Sequence, residues 1–320
     1  MAAPAPLRSS GAVHAAIVGL SGPVLTPGEA TLLQATRPVG VILFARNVID
    51  PAQLRRLVDD VRTFGPTVFV DQEGGRVARL RPPHWPAWPA ASEVADPEAA
   101  YIAGAGIGAA CAALGIGAVC APVLDRLHPD GHGVIGDRSY GSAGARVAAM
   151  GRAMADGLLA QHVLPIAKHA PGHGRAGADS HHALPVVRGD LTDDIAPFQA
   201  LHDLPWMMTA HILYPDVDSE QPATLSAVVI ERIIRGRIGF DGVLVTDDLE
   251  MGALTGSPGA RATAALAAGC DVALHCSGVL ADSQAVIAAA GPLAVAAARR
   301  VEAGWARAGV GVRADMQAGA

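Results

Sequence analysis

The sequence predicts a single α/β domain, a (β/α)8 TIM-like barrel filling residues 1–320, with a helical or flexible C-terminal end. Three observations carry that expectation. Short apolar or β-branched runs recur eight times, segments rich in Ala, Leu and Arg with helical spacing lie between them, and chemically versatile residues gather where the runs end. Strand and helix in alternation favour parallel pairing through right-handed crossovers, and eight such units suit a closed barrel. An open doubly wound sheet is the alternative. No G-x-G-x-x-G fingerprint follows a strand, and Gly104-Ala105-Gly106 sits in an Ala-rich helical context and reads as packing.

The first expected strand is 15–20, around Ile17 and Val18, and the second is 40–44, around Val41, Ile42 and Leu43. Thr-Val-Phe-Val at 67–70 is the third, and the small run Ala-Val-Cys-Ala at 118–121 the fourth. A helix at 145–159 leads to the fifth strand, 164–167, whose apolar run from Val163 is bounded by breakers and reads as buried. A helix at 195–202 precedes strand six (206–209), one at 227–235 precedes strand seven (243–246), and one at 261–268 precedes strand eight (272–274).

Composition excludes several classes of function. With 51% hydrophobic residues the chain can bury a large core, and a net charge of -6 without any basic run gives no support for nucleic acid or an anionic membrane as partner. Cys111, Cys120, Cys270 and Cys276 form no C-x-x-C pair and lie in apolar segments, which suits reduced thiols in a cytoplasmic protein. The N-terminus has only Arg8 before a Gly/Pro-interrupted stretch and lacks the pattern of a secretory signal. No apolar run is expected to reach the roughly 18 residues of a membrane span. Oligomeric state is not legible.

The polar residues fall at strand ends. Asp71-Gln72-Glu73-Gly74-Gly75-Arg76 and Arg79 follow the third, Asp125 and then Asp137-Arg138 the fourth, Lys168 and His169 the fifth, His211 the sixth, and Asp247-Asp248 the seventh. In a parallel barrel those ends share the face on which active sites are built. Taken singly, Asp248 could cap a helix starting near Leu249, and Arg76 or Arg79 could be solvated helix charges. The densest cluster is Lys168-His169-Ala170-Pro171-Gly172-His173-Gly174 with Asp179-Ser180-His181, too broken by Gly and Pro for a helix and so a reactive loop. Pro171 and Gly172 keep His169 and His173 off a common helical face. A metal-dependent hydrolase using His169, His173, His181, His182 and His211, and a sugar-binding protein without turnover, remain as other readings. Trp85 and Trp88 either stack on a ligand or pack their Pro-rich loop against the barrel, and packing is preferred.

Together, Lys168-His169-x-Pro171-Gly172-His173-Gly174 with Asp179-Ser180-His181, Val70-Asp71-Gln72-Glu73-Gly74-Gly75-Arg76-Val77, Met208-Thr209-Ala210-His211 and Thr246-Asp247-Asp248-Leu249-x-Met251 resemble the β-N-acetylhexosaminidases of glycoside hydrolase family three. The resemblance implies a cofactor-independent cytoplasmic barrel, with no metal, that removes N-acetylglucosamine from 1,6-anhydro-N-acetylmuramyl fragments of peptidoglycan. It implies Asp247 as nucleophile, His181 as acid/base with Asp179 orienting it, and Asp71, Arg79, Arg138, Lys168 and His169 as the residues holding the sugar. A phosphorylase on the same scaffold is the nearest rival, because a deprotonated His181 is neutral and would not repel phosphate. Two departures stand out: Ala170 replaces the family's usual Phe, and Gly174-Arg175-Ala176-Gly177-Ala178 adds a cation to the loop.

Overall fold

The computed structural model describes residues 12–309. Its eight strands are β1 (His14–Gly19), β2 (Pro38–Leu43), β3 (Thr67–Val70), β4 (Ala118–Val119), β5 (Leu164–Ala170), β6 (Trp206–Thr209), β7 (Val243–Val245) and β8 (Ala273–His275). They pair in parallel in chain order from β1 to β7, with β8 beside β1. The remaining seam closes through a parallel bridge between Val245 and Val272 and a 3.1 Å bond from the Thr246 N–H to the Val272 carbonyl. This closure excludes the open sheet.

The crossovers are α1 (Pro27–Thr36), α2 (Pro51–Thr63), α3 (Pro97–Leu114), α4 (Gly144–Leu159), α5 (Thr192–Ala200), a π-helical segment (Val229–Arg237) and α6 (Pro258–Ala268); α7 (Leu280–Ala290) and α8 (Val295–Arg307) follow β8. One local chemistry starts several of them. Thr26-Pro27, Asp50-Pro51, Asp96-Pro97 and Ser257-Pro258 each put a side-chain acceptor at the N-cap and a proline in the first turn, where its missing N–H costs nothing. In α3, an added Cβ at Gly104 would lie 2.3 Å from the Met154 carbonyl of α4, and one at Gly106 would lie 1.9 Å from the Trp88 ring. Both glycines therefore serve close packing, as expected. Contrary to expectation, α3, with 18 residues, is long and apolar enough to cross a membrane, because Ala and Gly keep it apolar without bulky side chains; here it lies against α4 in the outer layer.

Residues alternate along each strand. Val68 and Val70 face the helices while Phe69 faces the interior, where it joins Ile17, Ile42, Ile166, Trp206, Val243 and Leu274. At the amino ends of the strands α8 forms the floor: Trp305 packs on Trp206 and Phe69 with ring centroids 5.5 and 6.0 Å apart. Arg300 pairs with Asp241 and Asp271, and Arg307 with Asp203, each acid just before a strand. α8 is the last described helix; the C-terminal end proper, residues 310–320, and the N-terminal stretch containing Arg8 lie outside the described residues.

Candidate active site

The alternation that fills the interior also builds the site. Two residues beyond Phe69 stands Asp71, two beyond Ile166 stands Lys168, and two beyond Val245 stands Asp247, so each apolar stripe ends in a charge at the barrel mouth. Lys168 and His169 belong to β5 itself rather than to the loop after it, because the ladder continues to Ala170 opposite Thr209. Two residues of β5, Lys168 and His169, oppose one of β6, Met208, between the Ala167–Met207 and Ala170–Thr209 pairs, a bulge of the kind that re-aims side chains beside active sites.

Lys168 Nζ lies 2.8 Å from Asp71 and 2.7 Å from Glu73, and Arg138 bonds both Glu73 oxygens at 2.8 Å. Arg79 reaches Asp71 at 3.3 Å. Burial favours the neutral acids, but Lys168 and Arg79 outweigh it at Asp71, and Lys168 and Arg138 hold Glu73 down to about 2. Gln72 fixes the loop between them, accepting from the Arg79 and Leu80 N–H groups and donating to the Leu80 carbonyl.

Asp125 is fully buried beneath this network. It accepts from His169 Nδ1 at 2.6 Å and from the His173 N–H at 2.6 Å. Arg138 approaches His169 Nε2 at 3.4 Å and can only donate, so His169 carries its proton on Nδ1 and offers Nε2 as acceptor. His169 and His173 come together edge to face, ring centroids 5.7 Å apart, without any shared helix. Burial, with His169 nearby, pushes His173 down to about 4.

On the opposite strands, burial works against ionisation of Asp247, but His169, His211, the Asp248 N–H and Lys168 lower its pKa below the ordinary carboxylate value. Asp248 caps no helix, since α6 begins only at Pro258; it accepts from the Glu250 and Cys276 N–H groups, and burial beside Asp247 raises it to about 6. His211 donates from Nε2 to the Asp248 carbonyl at 2.9 Å and so buttresses the Asp247 turn.

The loop after β5 carries Asp179 and His181. One Asp179 oxygen accepts the His181 N–H at 2.9 Å and Nδ1 at 2.8 Å, leaving Nε2 free on a side chain that is 57% exposed. Arg175 turns away from the cavity and staples the loop base to the start of α5, binding Asp194 and the carbonyls of Arg188 and Asp190.

One cavity of about 260 Å³ lies between these elements, with Gln72, Asp125, Arg175 and His211 behind its wall. Asp71, Arg79, Arg138, Lys168, His169, Asp179, His181 and Asp247 all line it, with Glu73, His173, Asp248 and Met251. Glu73 and Asp125 carry no assigned role in the sequence reading, although both follow strand ends; their function as counter-ions depends on Arg138 and His169 arriving from elsewhere. Arg79 is a site residue and not a solvated charge, whereas Arg76 pairs with Asp137 at the rim. His182 is exposed and does not line the cavity, and among the described residues no group of three or more His, Cys, Asp or Glu is placed to hold a metal ion. Trp85 and Trp88 also lie off the cavity, packed against the outer core.

Comparison with known proteins bears on this geometry. The N-terminal domain of glycosyl hydrolase family 3 matches residues 26–307. The chain is 40% identical over 286 residues to a β-hexosaminidase of Bordetella pertussis, covering 83% of this chain and 81% of that one. It is 38% identical over 274 residues to a β-hexosaminidase of Pseudomonas aeruginosa, covering 82% of each. Among solved structures, a family 3 β-N-acetylglucosaminidase from Paenibacillus sp. FPU-7 superposes with a TM-score of 0.85 at 34% identity, over 92% of this chain and 61% of that one. NagZ from Neisseria gonorrhoeae, in complex with N-trifluoroacetyl-D-glucosamine, superposes with a TM-score of 0.77 at 29% identity, over 93% and 98%.

Proposed function

Since this chain belongs to glycosyl hydrolase family 3 and is a glycoside hydrolase of the β-hexosaminidase type, we propose that it removes terminal N-acetylglucosamine from 1,6-anhydro-N-acetylmuramyl fragments of peptidoglycan, with retention of configuration. One observation carries the reading: an ionised carboxylate, Asp247, and an imidazole oriented by a carboxylate, His181 with Asp179, line a single cavity from two different loops. A retaining glycosidase needs a nucleophile on one side of the anomeric carbon and a proton donor at the leaving oxygen.

In this reading Asp247 attacks the anomeric carbon while His181 gives its Nε2 proton to the departing oxygen, so the glycosidic bond breaks as a glycosyl–Asp247 ester forms. The now neutral His181 takes a proton from water, the resulting oxygen attacks the same carbon, and Asp247 leaves. Asp71, Arg79, Arg138, Lys168 and the Nε2 of His169 meet the sugar's hydroxyl and acetamido groups. Their ion pairs fix them before substrate arrives, which lowers the cost of orienting it. The cavity, below the roughly 300–1,000 Å³ of drug-sized pockets, suits one monosaccharide with its aglycone outside. The relative crystallised with an N-acylglucosamine supports that choice of sugar. Four free, buried cysteines support a reducing compartment, and the same reading places the protein in the cytoplasm.

Proton NMR of the first-formed product in phosphate buffer tests the reading, beside an Asp247→Asn variant. Free N-acetylglucosamine as the early β-anomer, lost in the variant, is expected. An early α-anomer would overturn retention, sugar-1-phosphate would make the enzyme a phosphorylase, and an active variant would remove Asp247 as nucleophile.

A further inference from the structure

We infer that Gly252 and Ser180 are positioning residues for His181, docking its loop on the turn that follows Asp247; the inference rests on the acid/base role proposed above. Asp179 fixes the His181 ring only against its own backbone. Something else must fix that backbone against the nucleophile, because no strand or helix contains residues 177–183. The turn after β7 does so. The Gly252 N–H donates to the His181 carbonyl at 3.2 Å and the Ala253 N–H to the Ser180 carbonyl at 3.0 Å, consecutive amides meeting consecutive carbonyls. Ser180 is 2% exposed, with its hydroxyl 3.4 Å from His173 Nε2 and 3.8 Å from Met251 Sδ. The turn is itself tied to the nucleophile segment by the Met251 N–H, which donates to the Asp248 carbonyl at 3.1 Å.

Glycine is required at this junction for space. An added Cβ at Gly252 would lie 2.8 Å from the His181 carbonyl oxygen and 3.5 Å from that of His182, whereas the backbone there lies outside the left-handed region, so alanine strains nothing else. Gly252→Ala therefore moves the His181 segment outward by some tenths of an ångström and leaves β7 in place. Proton transfer needs heavy atoms within about 2.6–3.2 Å, so a displacement of that size falls on the acid step.

The test is leaving-group dependence. Gly252→Ala is expected to slow phenyl β-N-acetylglucosaminide about 10–100-fold and the 2,4-dinitrophenyl glycoside, which departs without a proton, less than about 3-fold. Added to His181→Ala it should cause little further loss, since both act through one group. Ser180→Ala carries the same test should Gly252→Ala fail to fold, with a smaller effect in the same direction. Equal slowing of both substrates, or full additivity with His181→Ala, would overturn the positioning role alone. A His181→Ala enzyme that does not discriminate between the substrates would overturn the acid assignment, and the positioning role with it.

Discussion

Replacing Glu73 with Gln removes one negative charge and little else, and the structure sets the size of the result. The Glu73 side chain is 7% exposed and accepts three charge-assisted bonds of 2.7–2.8 Å from Lys168 and Arg138. Those cations, working against burial, take its pKa from 4.5 to about 2, and at about 1.4 kcal/mol per tenfold change in proton affinity this is about 3 kcal/mol. Breaking a buried ion pair costs about 3–5 kcal/mol by mutagenesis, so the two routes agree. Because the folded pKa is depressed, the stabilisation is fully present above pH 4.5 and fades as the pH falls toward 2. Thermal and urea unfolding should place Glu73→Gln about 3 kcal/mol below the parent at pH 7, roughly 6 °C in Tm, with the gap narrowing below pH 4.5. A gap under about 1 kcal/mol at pH 7, or one that does not change between pH 6 and pH 3, would refute the view that Glu73 neutralises Lys168 and Arg138.

Asp125→Asn turns an amide N–H toward one of the histidine donors and should drive His169 to its other tautomer, setting a donor against Arg138. A fall of about 5–150-fold in kcat/KM is expected, with the tautomer read by ¹⁵N NMR. Asp248→Asn keeps an acceptor for Glu250 and Cys276 while removing a charge whose pKa is raised from 3.8 to about 6, so stability should rise by about 2–3 kcal/mol above pH 6 and not at all below pH 3.8, as urea melts would show. Trp305→Ala should cost about 3–5 kcal/mol in thermal unfolding and leave kcat/KM unchanged at temperatures where the variant is folded, since its ring lies at the floor and the site at the mouth.

The strands were legible because each buried run is short, apolar and followed by chemistry, and 67–70 and 206–209 coincide with β3 and β6 residue for residue. Ends were harder. Lys168 and His169 look like a loop because they are polar, yet they continue β5, where the barrel mouth supplies Asp71, Glu73 and Asp125 to pair them. The 227–235 helix was legible as helical but not as π, since its wider turn reflects packing and no residue type marks it. The role of Arg175 is not legible in the sequence; only the folded loop reveals that it binds Asp194 and two carbonyls.

The floor helix also dictates the order in which a nascent chain can mature. Phe69 and Trp206 stay uncovered until residue 305 has left the ribosome, and β1 has no β8 partner until residues 273–275 follow it out. During most of synthesis this polypeptide therefore presents aromatic surface and an unpaired strand edge, the features that recruit chaperones or seed aggregation. Truncations upstream of α8 should fail through insolubility, with cavity-lining side chains that never meet.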